Sequence, residues 1–399
     1  MSETTPLICV TGANGFLGSH IVDQCLRSGY RVRATVRQSL DSKKIQHLRE
    51  LDGAESRLEI VSAVMHAENS TGFKAAIVGC DAMIHVASPT KSNQLAKEDV
   101  HAAVFGTLHI LRIAKHTKVK TVVMTSSMCA AYPILQGAMM CETNWSEARD
   151  QVDEGNTYAA SKTLAEYAAW KFLEEEKPDF RLVTILPSCI VGPSLGSDIG
   201  LTNRALLGMI KRGCDDDTCP DDWFSFIDVR DCAAHHLAAL EKEDASGRYF
   251  SAASNMHWNE LCKILCEINP KLEKPQLHED PTQPTRIDRS RQDRLGVCIR
   301  EIPAILADAA LHFNDAGIQD ARNWRKSSRH STRTSSLSMR RRSSRSMSDL
   351  TKATSDIDLE AFTTPEDSPV DALPPGSLSR VDSLERFSSD AEERYQSEM

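Results

Sequence analysis

A glycine-rich turn directly after the first apolar run is the feature that most constrains how this chain can fold. Leu7–Thr11 has the pattern of a buried strand, and Gly12, Gly15 and Gly18 follow it with GxxGxxG spacing at the start of a helix predicted over 18–28. Gly12 would allow the tight turn, Gly15 would let backbone approach a pyrophosphate, and Gly18 would let helix and strand pack closely. Glycine loops also serve as plain turns, but this context predicts a diphosphate held at the helix N-terminus.

Strand and helix patterns then alternate along the first 190 residues. Strands are predicted at Leu7–Thr11, Arg31–Val36, 58–64, 82–86, Thr121–Thr125 and 181–186, and helices at 18–28, 72–78, 100–116 and 158–176. This alternation predicts an α/β fold with a Rossmann-type, doubly wound parallel sheet. We expect a nucleotide-binding domain over 1–187, to which parts of 222–240 return, and a smaller substrate-binding domain over 188–322.

Bulk composition narrows the class of protein. The chain has 399 residues, 41% of them hydrophobic, and a net charge of -9, which argues against nucleic acid as the main partner. No apolar run approaches the roughly 18 residues needed to span a bilayer, and the N-terminus lacks a signal-peptide pattern. The 12 cysteines are scattered and several lie in apolar runs, which favours reduced thiols and a cytoplasmic protein. No zinc-like double pair is present, so we predict no metal.

Composition changes abruptly near Asn323. The stretch 322–345 holds nine basic residues and no acid, whereas 346–399 is acidic and rich in serine. Apolar residues are sparse there, so 323–399 is predicted to be a disordered tail. Serines that follow arginines suit basophilic kinases, and the basic block could meet an acidic partner or a membrane surface. The alternative is an extension without a role.

The end of the second strand indicates which dinucleotide is used. An NAD enzyme places an acid there for the ribose 2′-hydroxyl, but residues 33–38 contain none. Arg37, followed by Lys43 and Lys44, could instead pair with a 2′-phosphate. A solvated basic helix start is the alternative. We predict NADPH.

A second motif suggests acid–base chemistry. Tyr158 and Lys162 are four residues apart on a predicted helix and so share one face. The lysine ammonium and a nicotinamide cation would lower the pKa of the phenol toward the working range. Ser126 and Ser127 end a strand, where one hydroxyl could polarise a substrate carbonyl. Taken alone, Tyr158 could be an ordinary core aromatic.

Together these motifs resemble the extended short-chain dehydrogenase/reductases, most closely the branch of dihydroflavonol, cinnamoyl-CoA and yeast methylglyoxal reductases. The resemblance covers about residues 5 to 320. The matching stretches are VTGANGFLGSH (10–20), VRATVR (32–37), HVASP (85–89), TSS (125–127), YAASKTLAE (158–166), PSCIVGP (187–193) and FIDVRD (226–231).

The resemblance implies a role for each matched position. It makes Ser127, Tyr158 and Lys162 catalytic, and it puts Ser88 and Tyr132 at the substrate. The cofactor-binding residues it implies are Gly12, Asn14, Gly15, Phe16, Leu17, Gly18, Arg37, Lys44, Ala87, Ser126, Tyr158, Lys162, Pro187 and Ser188.

The chain also departs from its relatives. Val64-Met65 stands where an Asp-Leu pair meets adenine, and Tyr132 stands where dihydroflavonol reductases carry a substrate-binding Asn. Thr157-Tyr158-Ala159 differs from the pattern of cinnamoyl-CoA reductases. The loop over 214–222 contains five aspartates and is expected either to border the substrate or to be an ordinary solvated loop. His235 and His236 are expected to be packing or surface residues.

These features predict an NADPH-dependent reductase of an aldehyde or ketone, with a small-molecule carbonyl compound as its partner. Two alternatives stay open. A sugar-nucleotide epimerase or dehydratase with tightly bound NAD shares the glycine turn and the Tyr/Lys pair. A non-catalytic nucleotide sensor with a regulatory tail would more often have lost Tyr158 or Lys162.

Overall fold

A computed structural model describes residues 5–37, 40, 42–65, 71–88, 97–132, 139–197, 199–213 and 218–315. The predicted tail at 323–399 and residues 214–217 of the aspartate-rich loop lie outside the described residues. The predictions made for the tail therefore stay predictions. Among the described helices, none combines the length and apolarity needed to cross a membrane.

Ten strands and twelve α-helices are described. The strands are β1 Leu7–Thr11, β2 Arg31–Val36, β3 Leu58–Ser62, β4 Ala82–His85, β5 Thr121–Thr125, β6 Arg181–Pro187, β7 Cys189–Val191, β8 Trp223–Asp228, β9 Gly247–Ser251 and β10 Ser254–His257. The helices are α1 Phe16–Arg27, α2 Gln46–Arg49, α3 Ala54–Arg57, α4 Phe73–Ile77, α5 Lys97–Lys115, α6 Ala148–Asp153, α7 Thr157–Glu176, α8 Gly200–Arg212, α9 Val229–Glu241, α10 Trp258–Ile268, α11 Ser290–Arg294 and α12 Ile302–Asp315. Two 3-10 helices cover Lys43–Ile45 and Met128–Ala130.

The main sheet confirms the predicted doubly wound class. Its seven strands are all parallel, in the order β3-β2-β1-β4-β5-β6-β9. Every residue of β1 is buried, as expected for a strand with both faces covered by helices. The strand order reverses between β1 and β4, where Val10 pairs with Ile84. Ligands of such sheets bind in the crevice at this reversal, beyond the carboxyl ends of the strands.

Apolar side chains fill both faces of the sheet. On one face Ile21 and Val22 of α1 pack in the same cluster as Cys232 and Ala233 of α9. On the other face, the side chains of α4, α5 and α7 form a second buried cluster with the sheet. The helix predicted over 18–28 begins two residues earlier than expected, because Gly15 is its N-cap.

The chain after β6 adds a smaller sheet with the order β10-β8-β7. A third apolar cluster packs this sheet against α8, α10 and α12. The predicted domain boundary at 187 stays a prediction. The main sheet, however, also includes β9, which lies in the segment expected to form the smaller domain. The sequence predicts that only parts of 222–240 return to the nucleotide-binding domain.

Candidate active site

The glycine turn is built by backbone contacts that leave no room for side chains. Gly12 has a φ of +66°, a left-handed conformation that favours glycine, and a Cβ there would lie 2.9 Å from the Ala87 Cα. A Cβ on Gly18 would lie 2.3 Å from the Gly12 carbonyl oxygen. Gly15 caps α1 without a side-chain hydrogen bond, so the turn presents backbone amides at a helix N-terminus.

The other residues predicted in this turn differ in what they expose. Phe16 and Leu17 are buried in the core, and Phe16 packs against Gly200 from the smaller domain. Only their backbone amides are therefore presented at the start of α1. Asn14 is partly exposed in the turn itself.

Thr11 joins the two strands on either side of the strand-order reversal. Its Oγ1 accepts hydrogen bonds from the backbone amides of Val86 and Ala87, both at 3.1 Å, and lies 2.8 Å from the His85 Nδ1. These contacts hold Ala87 against Gly12. Ser88 follows, partly exposed, at the mouth of the crevice. Thr11 is not among the residues predicted for the site, although its position at the end of the first strand is a usable signal.

The predicted 2′-phosphate residues lie on the surface at the end of β2. Arg37 directly follows β2, Lys44 lies in the 3-10 helix Lys43–Ile45, and both are exposed. The Ser42 hydroxyl accepts a hydrogen bond from the Lys44 backbone amide at 3.2 Å. A groove of about 410 Å³ opens here and is lined by Leu40, Ser42, Lys43, Gln46 and Arg49.

Ser127, Tyr158 and Lys162 come together beyond the carboxyl end of β5. The Asn156 side chain caps α7 by accepting from the Ala159 amide at 3.1 Å, which places Tyr158 in the first turn. The Ser127 side chain lies close enough to the Tyr158 phenol to lower its pKa. The Lys162 Nζ is buried and donates to the Thr125 carbonyl oxygen at 3.1 Å.

The electrostatics of this group differ from the expectation for Tyr158. Burial raises the pKa of Tyr158, and the nearby thiols of Cys129 and Cys189 act in the same direction, while the Ser127 hydrogen bond opposes them only in part. The protein groups by themselves thus keep the phenol protonated. Burial lowers the pKa of Lys162 to about 8.

The two serines at the end of β5 have different partners. The Ser126 hydroxyl donates to the Glu166 Oε2 at 2.6 Å, so it is directed into the protein rather than toward Tyr158. The Ser126 hydroxyl proton is thus used within the protein, and the cofactor contact expected of Ser126 stays a prediction. Ser127 instead lies beside Tyr158 and lowers its pKa, and the catalytic role that the resemblance implies for Ser127 stays a prediction.

The segment after β6 forms the far wall of the crevice. Pro187 is the last residue of β6 and is buried, and the Ser188 amide donates to the Ser251 carbonyl oxygen at 3.0 Å. Tyr132 is partly buried, and its ring centroid lies 6.4 Å from that of Trp223. Burial raises the pKa of Tyr132, and the neighbouring Cys129 acts in the same direction. Cys129 and Trp223 are not among the residues predicted for the site.

Three buried histidines lie behind the site. His236 Nε2 lies 2.8 Å from the Thr125 Oγ1, and His235 Nδ1 lies 2.9 Å from the Ser251 Oγ. Both His235 and His236 are fully buried, so of the two roles expected for them, packing or surface, the structure shows packing. His85 on β4 is buried as well.

Comparison with known proteins supplies the family. The model of the NAD dependent epimerase/dehydratase family matches residues 8–253. A cinnamoyl-CoA reductase of Medicago truncatula is 37% identical over 279 residues, which cover 68% of this chain and 83% of that protein. A tetraketide alpha-pyrone reductase of Arabidopsis thaliana is 35% identical over 337 residues, 79% of this chain and 98% of that protein.

A solved structure agrees with these sequence matches. Gre2 from Candida albicans, crystallised in complex with NADPH, is 25% identical with a TM-score of 0.67, covering 78% of this chain and 99% of that one. The match with the reductase branch confirms the resemblance found in the motifs. The chain belongs to the NAD dependent epimerase/dehydratase family and is an oxidoreductase of its reductase branch.

Proposed function

We propose that this protein is an NADPH-dependent reductase that converts an aldehyde or ketone into an alcohol, with Tyr158 as the proton donor. One observation carries the proposal. Ser127 lies close enough to the Tyr158 phenol to lower its pKa, and the buried Lys162 lies one helical turn from Tyr158. Two adjacent hydroxyls of this kind can both donate to one carbonyl oxygen.

The glycine turn fits a dinucleotide. Gly15, the N-cap of α1, has no side chain and no side-chain cap hydrogen bond lies there, so a diphosphate can approach the backbone amides at the helix N-terminus. Arg37 and Lys44 supply exposed positive charge at the end of β2, which suits the 2′-phosphate of NADPH. The NADPH complex of the Candida albicans relative supports the same choice.

When bound, NADPH supplies the hydride that adds to the carbonyl carbon. Ser127 holds and polarises the carbonyl oxygen. Tyr158 transfers its phenolic proton to that oxygen as the alcohol forms, and its raised pKa keeps it protonated until then. Lys162, with a pKa of about 8, carries a positive charge at neutral pH that stabilises the phenolate left behind.

The test is NADPH consumption with a panel of aldehydes and ketones. Wild-type protein should oxidise NADPH with at least one member of the panel, and Tyr158→Phe should lower kcat by roughly 100-fold or more because the proton donor is removed. Tyr30→Phe is the matched control, since it also loses a tyrosine hydroxyl, one that bonds Glu241 at 3.1 Å on the surface. It should leave kcat unchanged.

Two outcomes would contradict the proposal. NAD that stays bound through purification, together with turnover of a nucleotide sugar, would favour an epimerase or dehydratase. Tight NADPH binding without turnover of any carbonyl compound would favour a nucleotide sensor.

A further inference from the structure

A buried ion pair lies directly behind the catalytic residues. Glu166 is fully buried and Arg248 is only 2% exposed, and the Arg248 Nε donates to the Glu166 Oε1 at 2.8 Å. A second contact joins Nη2 to Oε2 at 3.1 Å. A buried pair of charges contributes little net stability unless its remaining hydrogen-bonding groups are also used. The neighbours of both residues indicate what this pair does.

Glu166 connects the catalytic helix to the sheet. It lies on α7 one turn after Lys162 and two turns after Tyr158. Its carboxylate accepts from the Ser126 hydroxyl at the end of β5 and from the Thr184 hydroxyl on β6, both at 2.6 Å. One side chain therefore fixes α7 relative to the strand end that bears Ser126.

Arg248 connects the Glu166 carboxylate to the segment of the chain that follows Ser127. From β9 its guanidinium donates to the carbonyl oxygens of Ala130 at 3.0 Å and Glu142 at 2.8 Å. The guanidinium also lies 3.9 Å from the ring centroid of Trp145. The segment that follows Ser127 is thus tied back onto Glu166, and hence onto α7.

The charges alternate from Arg248 through Glu166 to Lys162. Burial favours a neutral Glu166, but Arg248 and the hydrogen bonds from Ser126 and Thr184 outweigh it and hold the pKa of Glu166 below its ordinary value. The ionised Glu166 in turn raises the pKa of Lys162 against the effect of burial. The titratable groups that face Lys162 are Tyr158 and Glu166 on its own helix, Cys129, His85 and His236.

We propose that Glu166 and Arg248 are positioning residues of the reductase, which hold Ser127 and Tyr158 in register and place a carboxylate one helical turn from Lys162. The inference rests on the proposed function. Both residues act indirectly, through Lys162 and through the backbone around Ser127. Neither of them touches the reacting atoms.

The decisive variant is Glu166→Gln, which preserves the shape of the side chain and removes its charge. Loss of that charge lowers the pKa of Lys162, so the charged form disappears at a lower pH. In wild type the basic limb of the kcat profile for NADPH-dependent carbonyl reduction should fall near the Lys162 pKa of about 8. In Glu166→Gln that limb should move down by about one pH unit or more, with kcat reduced more than KM is raised.

Two substitutions of Arg248 provide a second test, one that removes its charge and one that restores it. Arg248→Met should shift the limb in the same direction, because Glu166 loses the partner that keeps it ionised, and Arg248→Lys should restore part of the shift. Arg181→Met is the matched control. Arg181 also donates to three backbone carbonyls, of Ala239, Leu240 and Ala245, but it lies away from Lys162, so its loss should leave the profile unchanged.

A readout that is independent of turnover completes the test. In protein with ¹³C-labelled lysine, the Lys162 signal, assigned by its absence in Lys162→Met, should titrate at a lower pH in Glu166→Gln than in wild type. If Glu166→Gln does not fold, Ser126→Ala keeps both charges and removes one hydrogen bond. It should lower kcat severalfold without moving the limb.

The outcomes separate the two proposals. Wild-type protein that reduces no carbonyl compound contradicts the proposed function. Active wild type, combined with an unshifted limb and an unshifted Lys162 titration in the Glu166 and Arg248 variants, overturns the positioning role alone. Unaltered kcat in Ser126→Ala would contradict the part of the proposal in which Glu166 holds α7 in place relative to the end of β5.

Discussion

Gly12 and Ala87 meet backbone to backbone at the point where the strand order reverses. A single Cβ on Gly12 would lie 2.9 Å from the Ala87 Cα and 3.0 Å from its amide nitrogen. The Thr11 hydroxyl fixes this contact by accepting from the Ala87 amide at 3.1 Å. The floor of the crevice is therefore set by main-chain atoms, and side chains supply the specificity around it.

Alanine substitutions at two glycines of the turn should have different effects, one on stability and the other on NADPH binding. Gly18→Ala forces a Cβ to within 2.3 Å of the Gly12 carbonyl oxygen, so the free energy of unfolding should fall by about 1–3 kcal/mol. Gly15→Ala meets the same oxygen at 3.3 Å with an ordinary φ of -77°, so its main effect should be weaker NADPH binding. Urea unfolding and NADPH fluorescence titration of both variants measure the difference. Equal stability losses would contradict these separate roles.

Cofactor preference should depend on Arg37. Arg37→Asp replaces the exposed cation at the end of β2 with an anion that repels a 2′-phosphate and can accept from a 2′-hydroxyl. The KM for NADPH should rise by about tenfold or more, and the KM for NADH should change far less. Arg31→Asp, at the opposite end of β2, is the control and should change neither. A parallel rise in both KM values for Arg37→Asp would argue against the 2′-phosphate contact.

Stability should fall steeply in mild acid because of the buried histidines. Burial lowers the pKa of His85 and His235 to about 3 and that of His236 to about 4. Their folded-state pKa values are below the unfolded value of about 6.5, so only the unfolded state gains protons as the pH falls below that value. Each histidine should cost about 2 kcal/mol of stability at about pH 5.

Urea midpoints measured at about pH 7 and about pH 5 test this acid sensitivity. His235→Asn can keep the contact with Ser251 and should reduce the loss of stability between these two pH values by about 2 kcal/mol. The exposed His116 is the control, since His116→Asn should leave the slope unchanged. A wild-type midpoint that is independent of pH would contradict the argument.

The tail is predicted to be unnecessary for chemistry. All predicted site residues lie between Gly12 and Ser188, so deletion of residues 325–399 should leave kcat nearly unchanged. Steady-state kinetics of the shortened and full-length proteins provide the measurement. A large loss of kcat would assign the tail a direct part in the reaction.

Local sequence by itself determined the class of fold and the main parts of the site. Strands and helices repeat with different periods, so their alternation predicted a parallel sheet, and the glycine spacing after β1 predicted the nucleotide turn. Tyr158 and Lys162 could be paired for the same reason, because four residues on a helix make one turn. Each of these inferences depends on neighbours within a few residues.

Tertiary structure decided what distant parts of the chain contribute. Ser126 and Ser127 are adjacent in sequence, yet the Ser126 hydroxyl donates to Glu166, whereas Ser127 acts on the pKa of Tyr158. Arg248 lies 82 residues beyond Glu166, and β9 brings it to α7 only because that strand joins the main sheet. Burial, which depends on packing of the whole domain, raised the pKa of Tyr158 where a local argument had predicted a lower one. The sequence thus determined which groups can react, and packing determined their protonation and partners.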